Sequence, residues 1–229
     1  MSRRGQNLRG IAAVALAIVY ASGCGEEEVD GEQLPDWWGL PYASEVIEFE
    51  PGEGAGFGEE EFPDVVLGPP GGGSATSGSL DVLSLGAGGE IVVAFSGREI
   101  VNAEGPDFVV FENAFWPGGD PDEVWAELGE VSVSDDGENW KTFSCEYEAG
   151  EDPPYEGCAG WTPTFAFDVQ QVVPIDAEVT GGDAFDLSEV GLERARYVRI
   201  RDVWGLGEAP SRGFDLDAVG LINYEGEAQ

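Results

Sequence analysis

Glycine and proline interrupt this chain so often that long regular elements have little room to form. The 229 residues include 35 glycines and 14 prolines, and the runs between them are short and rich in β-branched and aromatic side chains. Such runs, bounded by turn-forming residues, are typical of strands rather than helices. The sequence therefore predicts an all-β protein with long Gly/Pro-rich loops and at most one or two short helices.

The predicted strands belong to one β-sandwich domain. The run 108–111 (FVVF) is apolar on both faces, which predicts a central strand. Residues 131–134 (VSVS) alternate, which predicts a half-exposed strand, and Asp136-Gly137 predicts a tight turn after it. Residues 187–194 predict a short helix with Asp186 as N-cap. The predicted strands are residues 46–49, 65–67, 80–85, 90–95, 107–112, 130–134, 140–145, 166–169, 196–203 and 215–223.

Residues 1–23 have the layout of a secretory signal peptide. Three arginines precede an apolar run, residues 11–20, that is too short to span a bilayer as a helix. Small residues and Cys24 follow, an order that resembles the lipobox of bacterial lipoproteins, in which the cysteine is lipidated. An ordinary signal peptide with an incidental cysteine is the alternative. A lipid on Cys24 would anchor the protein without a transmembrane helix.

The segment after the lipobox predicts a tether. Residues 24–39 are acidic and poor in apolar side chains, so they cannot bury enough surface to fold. Residues 40–225 are predicted to form the sandwich, and residues 226–229 a tail. We expect a monomeric domain that is exported to the bacterial envelope, in the outer membrane or at the cell surface, and that contacts the membrane only through its lipid.

Two cysteines remain beyond the lipobox, Cys145 and Cys158. In an exported protein such a pair is predicted to form a disulfide. The segment between them is rich in glycine, proline and charge, so a crosslink would hold a loop that cannot hold itself. Free thiols or a metal pair are the alternatives, although two cysteines without histidine make a poor zinc site.

The charge balance excludes several classes of function. The chain has 46 acidic and 10 basic side chains, a formal net charge of −36, and no histidine. Such a chain repels nucleic-acid backbones, and it lacks the side chain that activates most serine and cysteine nucleophiles. Carboxylate chemistry remains: hard-cation binding or Asp/Glu acid–base catalysis. Because acidic residues are so abundant, chance alone supplies catalytic-looking pairs, and no catalytic residue is predicted.

Carboxylates near the ends of predicted strands suggest structural calcium. Asp215 and Asp217 lie two apart, so they should share one face of a strand while Phe214, Leu216 and Ala218 face the core. Two charges so close repel unless a cation or an arginine lies between them. Alternatively, the aspartates at 183 and 186 cap a turn and a helix, and those at 215 and 217 pair with arginines. The candidate Ca²⁺ ligands are Glu112, Asn113, Asp183, Asp186, Asp215 and Asp217.

Asp202 presents a related problem. It shares strand parity with Val198 and Ile200, so it should point inward and need a partner. The candidate partners are a bound metal or the arginines Arg199, Arg201 and Arg212.

Tryptophans beside flexible loops suggest a glycan site. Trp116, Trp161 and Trp204 lie next to Gly/Pro-rich segments, and indole faces stack on sugar rings. The alternative is that these rings fold back as local cores. Trp140, which follows the predicted turn, is expected in the main core.

Two segments resemble discoidin-type jelly rolls of the galactose-binding-like class: residues 131–140 (VSVSDDGENW) and 195–202 (ARYVRIRD). The body of the chain is also similar to a family of uncharacterised bacterial cell-surface proteins. The resemblance implies an exported, calcium-binding β-sandwich. The segments that carry it are 62–68 (FPDVVLG), 78–89 (GSLDVLSLGAGG), 90–95 (EIVVAF), 105–115 (GPDFVVFENAF), 181–187 (GGDAFDL) and 213–219 (GFDLDAV).

These observations predict a surface-anchored, non-catalytic binding module stabilised by Ca²⁺. Its expected partner is a glycan, an extracellular polymer or another envelope component. A structural envelope protein without a discrete ligand is the first alternative, and a carboxylate-based glycan hydrolase is the second.

Overall fold

Twelve strands form most of the regular structure in the computed structural model, which describes residues 35, 37–147, 152–165 and 174–228. All pairs between these strands are antiparallel. The strands are β1 (Glu45–Glu50), β2 (Leu83–Ser84), β3 (Glu90–Ala94), β4 (Arg98–Val101), β5 (Phe108–Glu112), β6 (Gly129–Ser134), β7 (Lys141–Thr142), β8 (Asp183–Phe185), β9 (Arg194–Ala195), β10 (Tyr197–Asp202), β11 (Asp215–Leu221) and β12 (Tyr224–Gly226).

Three predictions concern parts of the chain that lie wholly or mostly outside the described residues: the signal peptide with its lipidated Cys24, the tether at residues 24–39, and the strand at 166–169. From Pro35 onward the chain belongs to one compact unit. Among the described residues, no helix has the length and apolar character needed to cross a bilayer.

The two larger sheets face each other across a shared core. Their strand orders are β1-β3-β10-β6-β7 and β2-β11-β5-β8, and a small third sheet has the order β12-β4-β9. Ile91 and Val198 from the first sheet belong to the same buried cluster as Val110 and Leu216 from the second. The predicted all-β sandwich is therefore confirmed.

Strand β5 lies between β11 and β8, as its apolar sequence predicts, and all five of its residues are buried. Phe108 and Val110 face the core between the sheets. Val109 and Phe111 face a second cluster on the opposite side of the sheet, which includes Tyr42 and Ile175. Both faces of the four-stranded sheet are thus covered, which explains why β5 has no polar face.

Helical structure in the described residues is limited to short turns. One α-helical turn covers Ala177–Thr180, and 3₁₀ turns cover Asp64–Val66, Pro117–Gly119 and Leu187–Val190. The predicted helix at 187–194 is shorter than expected, since it ends at Gly191 in a left-handed conformation (φ 69°). Its N-cap is confirmed, because the Asp186 side chain accepts from the Ser188 amide at 2.8 Å.

Several predicted strands are wrong or too long. Residues 65–67 fall mostly in the 3₁₀ turn, which buries the side chains of Val65 and Val66 without pairing with a strand. The strands predicted at 80–85 and 140–145 shrink to β2 and β7, which have two residues each. Val66, Val82, Leu85 and Phe143 are buried although they lie outside strands, so apolar character alone did not distinguish these segments from strands.

Strand β6 is buried on both faces, which contradicts the prediction of a half-exposed strand. The Ser132 hydroxyl lies 2.9 Å from that of Thr142, and Arg199 approaches it to 3.4 Å. The prediction for Trp140 is also wrong: its half-buried ring lies outside the core, 4.4 Å from the Arg199 guanidinium. Side chains from neighbouring strands therefore cover the polar face of β6.

The turn after β6 has the predicted chemistry. One carboxylate oxygen of Asp136 accepts the amides of Glu138 (2.9 Å) and Asn139 (2.7 Å). Gly137 has a φ of 76°, a conformation that favours glycine.

The predicted disulfide between Cys145 and Cys158 is present. Both cysteines belong to a local apolar cluster outside the main core, together with Leu128, Tyr155 and Trp204. The bond therefore joins the two ends of the loop at this local cluster.

Replacing both cysteines by serine is expected to lower the free energy of unfolding by about 2 to 3 kcal/mol, because the crosslink restricts the unfolded chain across a short loop. Urea unfolding of the oxidised wild type and the double variant measures the difference. Equal midpoints and slopes would contradict the stabilising role.

Candidate metal and ligand sites

Seven carboxylate side chains are buried in the described part of the chain: Asp107, Glu112, Glu127, Asp183, Asp202, Asp215 and Asp217. None of them takes part in an ion pair among the described residues. The ion pairs there use other acidic side chains, namely Glu53, Glu90, Glu99 and Asp135. The alternative that arginines neutralise the aspartates at 215 and 217 therefore finds no support in this part of the chain.

Asp202 points inward as predicted, but its partners are backbone amides rather than arginines. One oxygen accepts from Gly88 at 2.9 Å, and the other accepts from Gly205 at 3.2 Å and Phe214 at 3.0 Å. Arg212 lies nearby, but its guanidinium donates to the Gly205 carbonyl and pairs with Glu53. Backbone amides from two loops and from the residue before β11 therefore satisfy the hydrogen bonding of this carboxylate.

Three other carboxylates form a group that we call the acidic cluster: Glu112, Glu127 and Asp215. Glu112 ends β5 and Asp215 begins the adjacent strand β11, while Glu127 lies just before β6. Each is at most 4% exposed. Asp215 accepts a hydrogen bond from the Ser84 hydroxyl.

Burial and mutual repulsion both disfavour charge in the acidic cluster. Burial raises the pKa of Glu112 well above its ordinary value, and the neighbouring Asp215 and Glu127 raise it further. Burial also raises the pKa of Glu127 to about 8, with added contributions from Asp215 and Asp202. The pKa of Asp215 is raised by burial and lowered by hydrogen bonds from Ser84 and Asn113. At neutral pH these groups need either protons or a cation.

One oxygen of Glu112, Oε2, is buried and has no hydrogen-bond partner among the described residues. The hydroxyl of Thr164 is in the same condition. Both residues line one narrow crevice together with Ser79 and Asn113. Two partnerless oxygens on one crevice are a donor set suited to a hard cation, because such ions take carboxylate and hydroxyl oxygens as ligands.

Asn113 joins this group as an orienting residue. Its side-chain oxygen accepts from the Ser79 amide, and its side chain also hydrogen-bonds the Asp215 carboxylate. The structure therefore brings together three of the six predicted calcium ligands, Glu112, Asn113 and Asp215.

Asp217 does not join them, because β11 carries a bulge at this point. The register with β5 shifts between Leu216 and Ala218, so strict alternation fails. Leu216 faces the main core, but Ala218 belongs to the second cluster, contrary to prediction. Asp217 instead accepts from the Gly71 amide at 2.8 Å, and burial raises its pKa to about 8, with a further contribution from Asp81.

The remaining two predicted ligands serve other contacts. Asp186 is the cap described above, and Asp183 accepts the amides of Gly160 (2.7 Å) and Trp161 (3.1 Å) through one oxygen. The other oxygen of Asp183 is buried and has no hydrogen-bond partner within the described residues, and burial raises the pKa of this group to about 6. No three acidic or cysteine side chains in the described residues are arranged as a ready-made metal cage.

The predicted tryptophans are divided between local cores and a cleft. Trp161 donates to the Cys158 carbonyl and belongs to the cluster around the disulfide, as the local-core alternative predicts. Trp116 packs against Phe165, with ring centres 5.7 Å apart. Trp125 was not predicted as a site residue, yet it is 51% exposed and stacks on Phe115.

Trp204 lines a surface cleft of about 450 Å³, which we call the Trp204 cleft. Tyr147, Arg201, Arg212 and Glu130 also line it. It therefore combines aromatic rings, guanidinium groups and a carboxylate.

Comparison with models of known protein families found no match, and comparison with curated proteins found no significant relative.

Proposed function

We propose that this chain is a non-catalytic binding module of the bacterial cell envelope, anchored through a lipid on Cys24, whose sandwich is stabilised by Ca²⁺. Its ligand is a glycan or another extracellular polymer. The observation that carries the calcium part is the buried, partnerless oxygen of Glu112 beside two further carboxylates.

The acidic cluster supports a cation because no arginine or lysine pairs with its carboxylates in the described residues, which leaves protons or a cation to neutralise them. Glu112 and Asp215 would supply carboxylate oxygens, and Thr164 a hydroxyl oxygen. Glu127 would add negative charge next to them, since it is electrostatically coupled to both carboxylates. A bound Ca²⁺ would join the ends of β5 and β11 to the loop that carries Thr164. The ion would then act as a structural crosslink at one end of the sandwich.

Aromatic side chains on loops support the binding role. Trp204 and Trp125 present ring surface outside the main core, and both are held by stacking against another ring. Rings that are already fixed lose little conformational freedom when a ligand stacks on them. The resemblance to galactose-binding-like jelly rolls is consistent with this use.

The calcium part is tested by calorimetric titration of chelator-stripped protein with CaCl₂. Wild type should bind Ca²⁺ and melt at a higher temperature with it. Glu112→Gln should weaken binding at least tenfold, because it removes a charged ligand, whereas the exposed control Glu104→Gln should bind as wild type does. Without calcium, Glu112→Gln should be at least as stable as wild type, since it removes an acid whose charged form is disfavoured by burial.

Comparing the calcium-free stabilities of Glu112→Gln and wild type shows whether weaker binding comes from a missing calcium ligand or from an unfolded variant. Absence of both heat and a melting shift at millimolar calcium would reject the calcium site. Equal affinities for wild type and Glu112→Gln would place the ion elsewhere.

A further inference from the structure

Arg201 differs from every other arginine in the described part of the chain, because its guanidinium makes no ion pair, hydrogen bond or ring contact there. Its side chain is exposed at the end of β10. The other five arginines are engaged: Arg98 with the Leu40 carbonyl, Arg194 with Glu99, Arg196 with Asp135, Arg199 with Glu90, and Arg212 with Glu53. In a chain of net charge −36, an unused exposed guanidinium is a local site for an anion.

Arg201 lies on the Trp204 cleft. Glu130 is its cross-strand neighbour on β6, yet the two side chains do not form an ion pair. Arg212 contributes a second guanidinium to the cleft wall. The cleft therefore has cationic donors, a carboxylate acceptor and aromatic surface within one concavity.

The aromatic side of the cleft is rigid before any ligand arrives. Trp204 stacks on Tyr147 with ring centres 5.6 Å apart, and Tyr155 meets it edge-on at 5.3 Å. The Tyr147 hydroxyl donates to the Val203 carbonyl, and the disulfide at Cys145 lies two residues before Tyr147. The backbone of Gly205 is fixed by Asp202. A ligand stacking here would meet a fixed platform.

We propose that the Trp204 cleft binds a hexuronic acid unit of an acidic polysaccharide. The sugar carboxylate pairs with Arg201, the apolar face of the sugar ring lies on the aromatic platform, and Glu130 accepts from a sugar hydroxyl. The inference rests on the proposed glycan-binding function and names its ligand class. Because the chain repels polyanions as a whole, such binding depends on these local contacts rather than on general charge attraction.

The test is calorimetric titration of the calcium-loaded protein with short oligomers of galacturonic, glucuronic and mannuronic acid, and with the neutral oligomers of the same sugars. Free calcium is matched in both solutions. At least one acidic oligomer should bind at least tenfold more tightly than its neutral counterpart. Arg201→Gln should weaken that binding at least tenfold, and Arg201→Lys should weaken it less.

Lys141→Gln is the matched control, because this exposed lysine on the edge strand β7 loses the same charge outside the cleft, and it should leave the affinity unchanged. Trp125→Ala tests the exposed ring on a different loop. Thermal melting establishes that each variant is folded. Equal binding of acidic and neutral oligomers, unaffected by Arg201→Gln, would overturn the hexuronic acid inference and leave glycan binding intact. Loss of binding only in Trp125→Ala would move the site to that loop. Failure of every oligomer to bind would overturn the hexuronic acid inference, whereas the calcium titration tests the calcium part of the proposed function separately.

Discussion

Asp217→Asn is expected to gain stability relative to wild type as pH rises. The difference in free energy of unfolding between the variant and wild type should be about 3 kcal/mol larger at pH 9 than at pH 5.5. Asp217 is 3% exposed, and burial together with Asp81 raises its pKa to about 8. In the unfolded chain an aspartate titrates near pH 4. Between these values the folded protein holds a proton that the unfolded chain has released.

The sign follows from this difference in bound protons. Stability is fully present below the unfolded pKa and falls as pH rises towards the folded pKa, by at most about 1.4 kcal/mol per pH unit for one group. An asparagine side chain does not titrate in this pH range, so Asp217→Asn should not show this fall in stability with rising pH. Its side-chain oxygen can still accept from the Gly71 amide, and its amide can donate to Asp81. The substitution therefore retains the local contacts.

Urea unfolding from pH 5.5 to 9 in chelator, followed by tryptophan fluorescence, measures the effect. Asp122→Asn is the matched control, because this aspartate is exposed and its replacement changes net charge equally. The control separates the buried group from the general self-repulsion of an acidic chain. Parallel pH profiles for wild type and Asp217→Asn would contradict the prediction.

Features that depend on local chemistry could be predicted from the sequence. The Asp136-Gly137 turn and the Asp186 cap need only side-chain oxygens that bond amides two or three residues away. The central position of β5 follows from an apolar run without a polar face. The disulfide could be predicted from the even pair of cysteines beyond Cys24 together with the expectation that the chain is exported.

The buried acids were harder to place, because strict alternation fails where a strand bulges. One extra residue in β11 separates Asp217 from Asp215, which the two-residue spacing had placed on one face. Glu112 directly follows the apolar run at 108–111, and it is buried with the rest of β5. Because a register shift depends on both strands of a pair, it could not be predicted from the sequence of one strand alone.

Glu127 was missed although the sequence carries a signal for it. It shares parity with Gly129 and Val131, and Val131 faces the main core. Extending the β6 pattern backwards by two residues would have pointed Glu127 inward. Thr164 and Arg201 carry no comparable signal, because what singles them out is a side chain without a partner among the described residues, and no motif predicts that.

Asp202→Ala is expected to lower the free energy of unfolding by about 4 kcal/mol, a large effect for one side chain. The carboxylate accepts three backbone amides, and hydrogen bonds to charged groups contribute about 1.5 to 3 kcal/mol each. Two effects make the total smaller than a simple sum. The three bonds act on one network, and removing Asp202 relieves repulsion that raises the pKa of Glu127.

Asp202→Asn separates the contacts, because the two oxygens hold different segments. The asparagine oxygen can keep the Gly205 and Phe214 amides, while its NH₂ group then faces the Gly88 N–H. The expected loss is about half that of alanine. Hydrogen exchange should show faster exchange at Gly88 alone in Asp202→Asn, and at all three amides in Asp202→Ala. Uniform acceleration in both variants would mean that Asp202 stabilises the fold as a whole rather than through these three bonds.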